Sequence, residues 1–273
     1  MEPSRPSERA AAPFAEAADF YRHRAPYAPR AFELVRDTFR LGPGSRLLDL
    51  GCGPGTIAIP LSPAVGYVLA VDPSEAMLAA GRHRAAELGR TNIEWLCARA
   101  EDIDTSRKDF DVVTLGQSFH WMDRDEVLRR LTAMVATQGG IALINPGKRR
   151  PQESWETLAD AIIARYLGPR PRHAAMNPEP HNEPALLRSA AFAHFKTHEF
   201  AHEFRRDVPS IIGHVYSLST SPRSAFGQRA AAFERELTAA LLRSNPCGVF
   251  EERLETDVTI ARKVARPCSL RTR

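Results

Sequence analysis

Between residues 29 and 145 the apolar positions of the chain switch period in a regular alternation. In PRAFELVRDTF, Phe32, Leu34, Val35 and Phe39 form an apolar stripe that predicts a helix from about Pro29 to Phe39. SRLLDLGCGPG then reads as a short apolar strand running into a glycine loop. YVLAVD is predicted as a strand and PSEAMLAAGRHRAAELG as a helix, with Ser74 as its cap and Gly89 as its stop. NIEWLCA and FDVVTLG are further strands, and Asp123 with Glu126 at the capping-box position opens a helix over RDEVLRRLTAMVA. QGG predicts a turn into IALIN, another buried strand. Strands that are apolar almost throughout, separated by helices, indicate a parallel sheet covered on both faces.

From Pro146 the pattern breaks. Prolines and histidines cluster as far as about His181, which predicts a long surface excursion. FAHFKTHEF reads as a strand, and residues from about Asp207 to Ser244 as helices, among them SAFGQRAAAFERELTAALL. LETDVTIARK alternates as a closing strand. The chain is expected to divide into an N-terminal cap segment (1–28), a core (29–145) and a part (146–273) that adds a lid and the last two strands, at about 192–202 and 254–263.

Composition narrows the classes. The 273 residues are 43% hydrophobic and 26% charged, which suits a full globular core. The net charge of +4 is not gathered into the aromatic-interleaved basic patch of a nucleic-acid binder, so no nucleic-acid partner is expected. Mild basicity is compatible with an anionic small-molecule partner. Cys52, Cys97, Cys247 and Cys268 are scattered without metal spacing or a disulfide framework. The N-terminus lacks the apolar core of a signal peptide, and no apolar run reaches the ~20 residues of a membrane helix. A cytoplasmic chain with no membrane partner is expected; its oligomeric state is not legible.

The chemistry concentrates in LLDLGCGPGT. A dinucleotide fingerprint places a third glycine three positions after the second; here that position is Thr56, and the glycine stands at Gly55. Pro54 also removes an amide donor from the loop. The local chemistry therefore leans away from a nicotinamide dinucleotide. About twenty residues on, the second strand ends in Asp72–Pro73, and a carboxylate there can accept both ribose hydroxyls of a nucleoside. The alternative is a helix-capping aspartate at an ordinary turn. Loop, strand order and acidic strand end together favour nucleoside binding.

LLDLGCGPG, VDPSEAML, ARAEDI, FDVVTLGQSFHWMD and GGIALI resemble the successive motifs of class I S-adenosylmethionine-dependent methyltransferases over about residues 46–145. QSFHWMD, YRHRAPYAP and VYSLST are similar to the trans-aconitate methyltransferase-like subgroup, although Ala25 and Ala28 replace prolines common there. The resemblance implies an α/β, Rossmann-like, seven-stranded and mostly parallel sheet with helices on both faces and a helical lid from the C-terminal part. It also implies S-adenosylmethionine as cofactor. By the same resemblance, Asp49, Gly51, Cys52, Gly53 and Gly55 hold the methionine end and ribose, and Asp72 with Pro73 takes the ribose hydroxyls. Met77 packs near the adenine with Ala100 and Glu101 at its edge; Gln117 closes the site, and Tyr21 and Arg24 approach the cofactor's carboxylate.

Methyl transfer from a sulfonium needs alignment and exclusion of water, with neither a metal nor a covalent nucleophile. A base is needed only where the acceptor holds a proton, as a hydroxyl does and a carboxylate does not. His120 is the candidate base; its other reading is a platform, with Trp121, beneath the acceptor. By the likeness of VYSLST, His214 and Tyr216, with Ser219, are expected to line the acceptor pocket together with Phe119; the alternative is that Ile211, Val215 and Leu218 are core at helical spacing and the polar residues face solvent. O-methylation of a carboxylate or hydroxyl leads, with N- or C-methylation and a catalytically silent binder as alternatives. Lys148, Arg149, Arg150, Arg170 and Arg172 read as a solvated loop that can also attract an anionic acceptor.

His198–Glu199–Phe200–Ala201–His202 matches the zinc signature HExxH, which works only on a helix. In a strand at ~3.3 Å per residue the two imidazoles stand about 13 Å apart. No metal site is expected there.

Overall fold

The computed structural model describes residues 16–146, 154–168 and 182–264. Helix α1 (Pro29–Phe39) leads into β1 (Arg46–Leu50), followed by β2 (Tyr67–Asp72), α2 (Glu75–Glu87), β3 (Ile93–Cys97), β4 (Phe110–Gly116), α3 (Arg124–Met134) and β5 (Val135–Pro146). Then come α4 (Ser154–Leu167), α5 (Glu183–Arg188), β6 (Phe195–Asp207), α6 (Val208–Tyr216), α7 (Ala230–Ser244) and β7 (Val249–Arg262). The strands form one seven-stranded sheet in the order β3-β2-β1-β4-β5-β7-β6. β1 to β5 pair in parallel, and β7 inserts antiparallel between β5 and β6.

The parallel strands are covered on both faces, which is why they carry unbroken apolar runs. On one face Leu48, Leu50, Val113 and Leu115 pack with Val127, Leu128 and Leu131 of α3. On the other, Leu47, Val68 and Val112 pack with Ala31, Val35 and Phe39 of α1 and Leu78 of α2. Both predicted helix starts are seen: Ser74 accepts from the Met77 amide, and Asp123 from the Glu126 amide. Gly89 takes a φ of 64° just past α2. Among the described residues no helix is long and apolar enough to cross a membrane.

Four expectations change. The helix predicted to run through RDEVLRRLTAMVA stops at Met134, and QGG lies within β5 instead of forming a turn. A Cβ at Gly139 would lie 2.7 Å from the Asp111 carbonyl oxygen, and one at Gly140 2.4 Å from that of Ala261. These glycines serve close strand approach where the ladder shifts register between Phe110 and Val112. The surface excursion after Pro146 contains a helix, α4, whose Trp155, Ala159, Ile162 and Ile163 are buried at helical spacing; Lys148, Arg149, Arg150, Arg170 and Arg172 lie outside the described residues. SAFGQRAAAFERELTAALL is not one helix: Gly227, at φ 52°, ends a short turn over Arg223–Phe226, and α7 starts at Ala230.

The last two strands are also longer than expected, because charged outward positions mask an alternation that keeps Phe200, His202, Phe204 and Arg206 inward. β7 leaves β5 at the pair Pro146↔Thr256, whereas β6 and β7 stay paired to Asp207↔Val249. This two-stranded ribbon rises about 20 Å past the parallel sheet at ~3.3 Å per residue. It carries a third core, in which Trp155, Ile162, Ile211, Val215, Phe233 and Phe250 join α4, α6 and α7. Arg206 is buried there against Glu252, and its guanidinium donates to the carbonyl of His23. His198 to His202 is extended strand, paired with Val258 to Leu254, and His202 hydrogen-bonds the Pro26 carbonyl.

Candidate cofactor site

In open α/β sheets ligands gather beyond the carboxyl ends of the strands, where connections depart in opposite directions. Here that point lies between β1, whose connection leads to β2, and β4, whose connection leads to β5. The loop after β1 sits there. Gly51, Gly53 and Gly55 have φ of 63°, 54° and 80°, the left-handed region that other residues adopt at a cost. Space is as restrictive as conformation. A Cβ at Gly51 would stand 2.4 Å from Ser118 Cβ, and one at Gly55 2.7 Å from Trp95 Cη2. Trp95 is wedged as closely against Gly81 of α2, so the loop, α2 and β3 interlock.

Two carboxylates hold the loop. Asp72 accepts from the Gly53 amide and from the Ser74 amide, each at 2.8 Å. Each carboxylate oxygen offers further lone pairs, so a vicinal diol can still be accepted. Asp49 is buried; it accepts from the Ala58 amide at 3.0 Å and from the Thr114 hydroxyl at 2.8 Å. Its oxygens therefore anchor the helical turn after the loop. Burial pushes the Asp49 carboxyl up to about 7 against the opposing effect of those two hydrogen bonds. Asp72 is also raised, again chiefly by burial.

An unfolded aspartate releases its proton near pH 4, whereas folded Asp49 keeps it to about 7. Between those values the unfolded state binds fewer protons, so this group's contribution to stability falls as pH rises. Asp49→Asn is expected to lose that downward slope, read from urea midpoints between pH 4.5 and 7.5; parallel profiles for the variant and the natural protein would contradict it.

The remaining predicted positions fall in three groups. Cys52 and Met77 are buried beside the loop and Ala100 just beyond; exposed Pro73 follows Asp72. Glu101 accepts from the Asp123 amide at 2.9 Å. Gln117 has a φ of 52°, its amide donating to Ile144 O at 3.2 Å and its side chain hydrogen-bonded to Tyr27. Tyr21 lies 3.9 Å from where a Gly53 Cβ would stand, with the Arg24 guanidinium 4.3 Å above its ring. His120 and Trp121 are exposed, with ring centroids 5.2 Å apart.

The acceptor group is dispersed. Phe119 is buried in the core beside α3, and Tyr216 in that of the helical layer, where its hydroxyl donates to Glu234 at 3.0 Å. Both have packing roles here. His214 stands edge-on to Trp155 at 5.7 Å, and Ser219 is half-buried. Sequence reading passed over Thr114, Ser118, Tyr27 and Trp95. Thr114 carried a signal, as a lone polar residue in an apolar strand; its pairing with Asp49 was not visible until the β1–β4 register was known.

Residues 47–139 match the family model described as a methyltransferase domain. Residues 47–139 belong to the class I S-adenosylmethionine-dependent methyltransferases. The chain is 35% identical over 143 residues to a ubiquinone biosynthesis O-methyltransferase of Bradyrhizobium diazoefficiens, covering 51% of this chain and 53% of the relative. The chain thus spans about half the length of the curated relatives it matches. Among solved structures it superposes on the [4+2]-cyclase SpnF with a TM-score of 0.55 at 16% identity, over 96% of this chain and 99% of that one. It superposes on the YcgJ protein of Bacillus subtilis with a TM-score of 0.52, also at 16% identity, over 86% and 99%. These two likenesses concern the fold alone.

Proposed function

We propose that this chain transfers the methyl group of S-adenosylmethionine to an oxygen, carboxylate or hydroxyl, of a small-molecule acceptor. The observation that carries the reading is the Asp72 carboxylate bonded to the Gly53 amide at 2.8 Å, beside three glycines held at positive φ. When bound, the cofactor supplies a methyl already activated by its sulfonium. Asp72 accepts the ribose diol with the lone pairs left by Gly53 and Ser74. The glycine backbone admits a ligand where a Cβ would collide. Arg24 offers the N–H donors not used within the protein to a carboxylate, and Gln117, held at its unusual φ, bounds the site from the end of β4. The turn containing Tyr21 and the helical layer exclude water, which is the enzyme's main contribution to such a displacement. Oxygen as the target atom is supported by the Bradyrhizobium relative, which is named an O-methyltransferase.

His120 and Trp121, exposed side by side at the end of β4, serve in this reading as a platform for the acceptor. Calorimetric titration with S-adenosylhomocysteine is expected to show one site, with NADH failing to compete. Incubation with S-adenosylmethionine and a panel of carboxylic acids and phenols is expected to yield methyl esters or ethers by mass spectrometry. Absence of S-adenosylhomocysteine binding overturns the reading, and exclusively N- or C-methylated products overturn its choice of atom. His120→Asn is expected to keep kcat within about tenfold, since a general base contributes roughly 10²–10⁴. A larger loss together with a vanished acidic limb in the pH profile would make His120 the base.

A further inference from the structure

Arg24 joins three parts of the molecule that are far apart in sequence. Its Nη2 donates to Ser217 O at 2.7 Å and its Nε to Ser217 Oγ at 3.3 Å. Its Nη1 lies 3.4 Å from the Tyr21 hydroxyl, and its plane covers the Tyr21 ring. Ser217 is fully buried at the carboxyl cap of α6 and donates its hydroxyl to His214 O at 2.7 Å. A cation is favoured at that end of a helix. Beyond Arg24, Tyr21 is the group that a Cβ at Gly53 would meet.

The rest of the N-terminal stretch is tied to the same side. A Cβ at Gly213 of α6 would stand 2.2 Å from the His23 ring, so the ring lies directly on the helix backbone. Arg206 donates to His23 O, His202 pairs with Pro26 O, and Thr256 Oγ1 accepts from the Ala28 amide at 2.9 Å. Residues 18–28 are thus fastened to α6 and the β6–β7 ribbon on one side, and through Tyr21 they touch the glycine loop on the other.

We propose that Ser217 is a positioning residue for the cofactor site: by fixing Arg24 it locks the N-terminal turn between α6 and the glycine loop, so that the helical layer and the loop move as one unit. The proposal rests on the class I reading of that loop for its effect on binding; the coupling itself exists in the free protein. Ser217 has no atom in the glycine loop and acts only through Arg24 and Tyr21. Another buried hydroxyl of the same layer, Ser221, donates to Val215 O at 2.8 Å without reaching Arg24, and provides the control.

Hydrogen exchange of the ligand-free protein tests the coupling. Ser217→Ala is expected to speed exchange at least severalfold in peptides covering both 18–28 and 51–58, whereas Ser221→Ala speeds it only in α6 and the turn after it. Acceleration confined to α6 in both variants would overturn the proposal. In calorimetry, Ser217→Ala and Arg24→Lys are each expected to weaken S-adenosylhomocysteine roughly tenfold, the scale of one charge-assisted hydrogen bond. The double variant should lose no more than the worse single, because both break one chain of contacts. Additive losses, or unchanged affinity in Ser217→Ala, would overturn the effect on binding. Should Ser217→Ala fail to fold, Ser217→Cys takes its place in both measurements, and Arg24→Lys serves the exchange measurement alone because Arg24 itself belongs to the proposed cofactor site. A flat titration with the natural protein would remove the cofactor reading, and the exchange experiment would still decide the coupling.

Discussion

Asp72→Asn is expected to weaken S-adenosylhomocysteine at least 100-fold in calorimetry while leaving a folded protein. The carboxylate accepts from two amides, those of Gly53 and Ser74. An asparagine has one acceptor oxygen and one amino group, so one amide then faces a donor. An unsatisfied donor there costs about 1–3 kcal/mol, equivalent to a Tm lowered by several degrees in a domain of this size. Binding suffers further, because the ribose diol loses a charged acceptor worth ~1.5–3 kcal/mol and the loop loses its tie to β2. An affinity within threefold of the natural protein would mean that Asp72 is only a turn-forming aspartate, the alternative its position after β2 always allowed.

Gly51→Ala is expected to cost more in stability than any other single change in the loop, about 3 kcal/mol. Part is the left-handed backbone, ~1–2 kcal/mol for an L-residue. The remainder is steric: the new methyl would stand 2.4 Å from Ser118 Cβ, and Ser118 is held by a 2.6 Å hydrogen bond to Leu50 O. Urea unfolding should therefore show a lower midpoint with an unchanged slope, and cofactor binding should be lost. Adding Ser118→Gly to Gly51→Ala removes the collision but not the φ, and is expected to restore about half of the lost stability. Gly53→Ala offers the contrast, since its Cβ would meet nothing nearer than Tyr21 at 3.9 Å. That variant should lose only the ~1–2 kcal/mol of its left-handed backbone, since Gly53 has a φ of 54°. Equal destabilisation by Gly51→Ala and Gly53→Ala would show that backbone conformation alone, and not the contact with Ser118, sets the cost.

Much of the core was legible because its signals are local. Pro29–Phe39, Tyr67–Asp72 and Phe110–Gly116 fall where periodicity placed them, and Ser74 and Asp123 cap their helices through bonds three residues long. The errors share a physical cause. Gly139 and Gly140 look like a turn to any local rule; the carbonyls that require them belong to β4 and β7, far away in the chain. Helix α4 was missed among prolines and basic residues because its apolar face is completed by α6 and α7. Tyr216 was placed in a pocket by a motif likeness, and its burial depends on Phe20, Phe226 and Phe233 closing around it.

By itself the sequence determined the alternation of strands and helices, the glycine loop and its acidic partner at Asp72, because each depends on a few neighbouring residues and on hydrophobic period. It also read His198–His202 as strand, which the pairing of β6 with β7 bears out; at ~3.3 Å per residue those imidazoles stand about 13 Å apart. Only the tertiary structure decided what the carboxylates bind, that Thr114 faces Asp49, and that Arg24 reaches Ser217 across 193 positions. Those partners are chosen by strand register and by the packing of the β6–β7 ribbon over the sheet edge, and no local pattern encodes a contact between segments that meet only when the whole chain is folded.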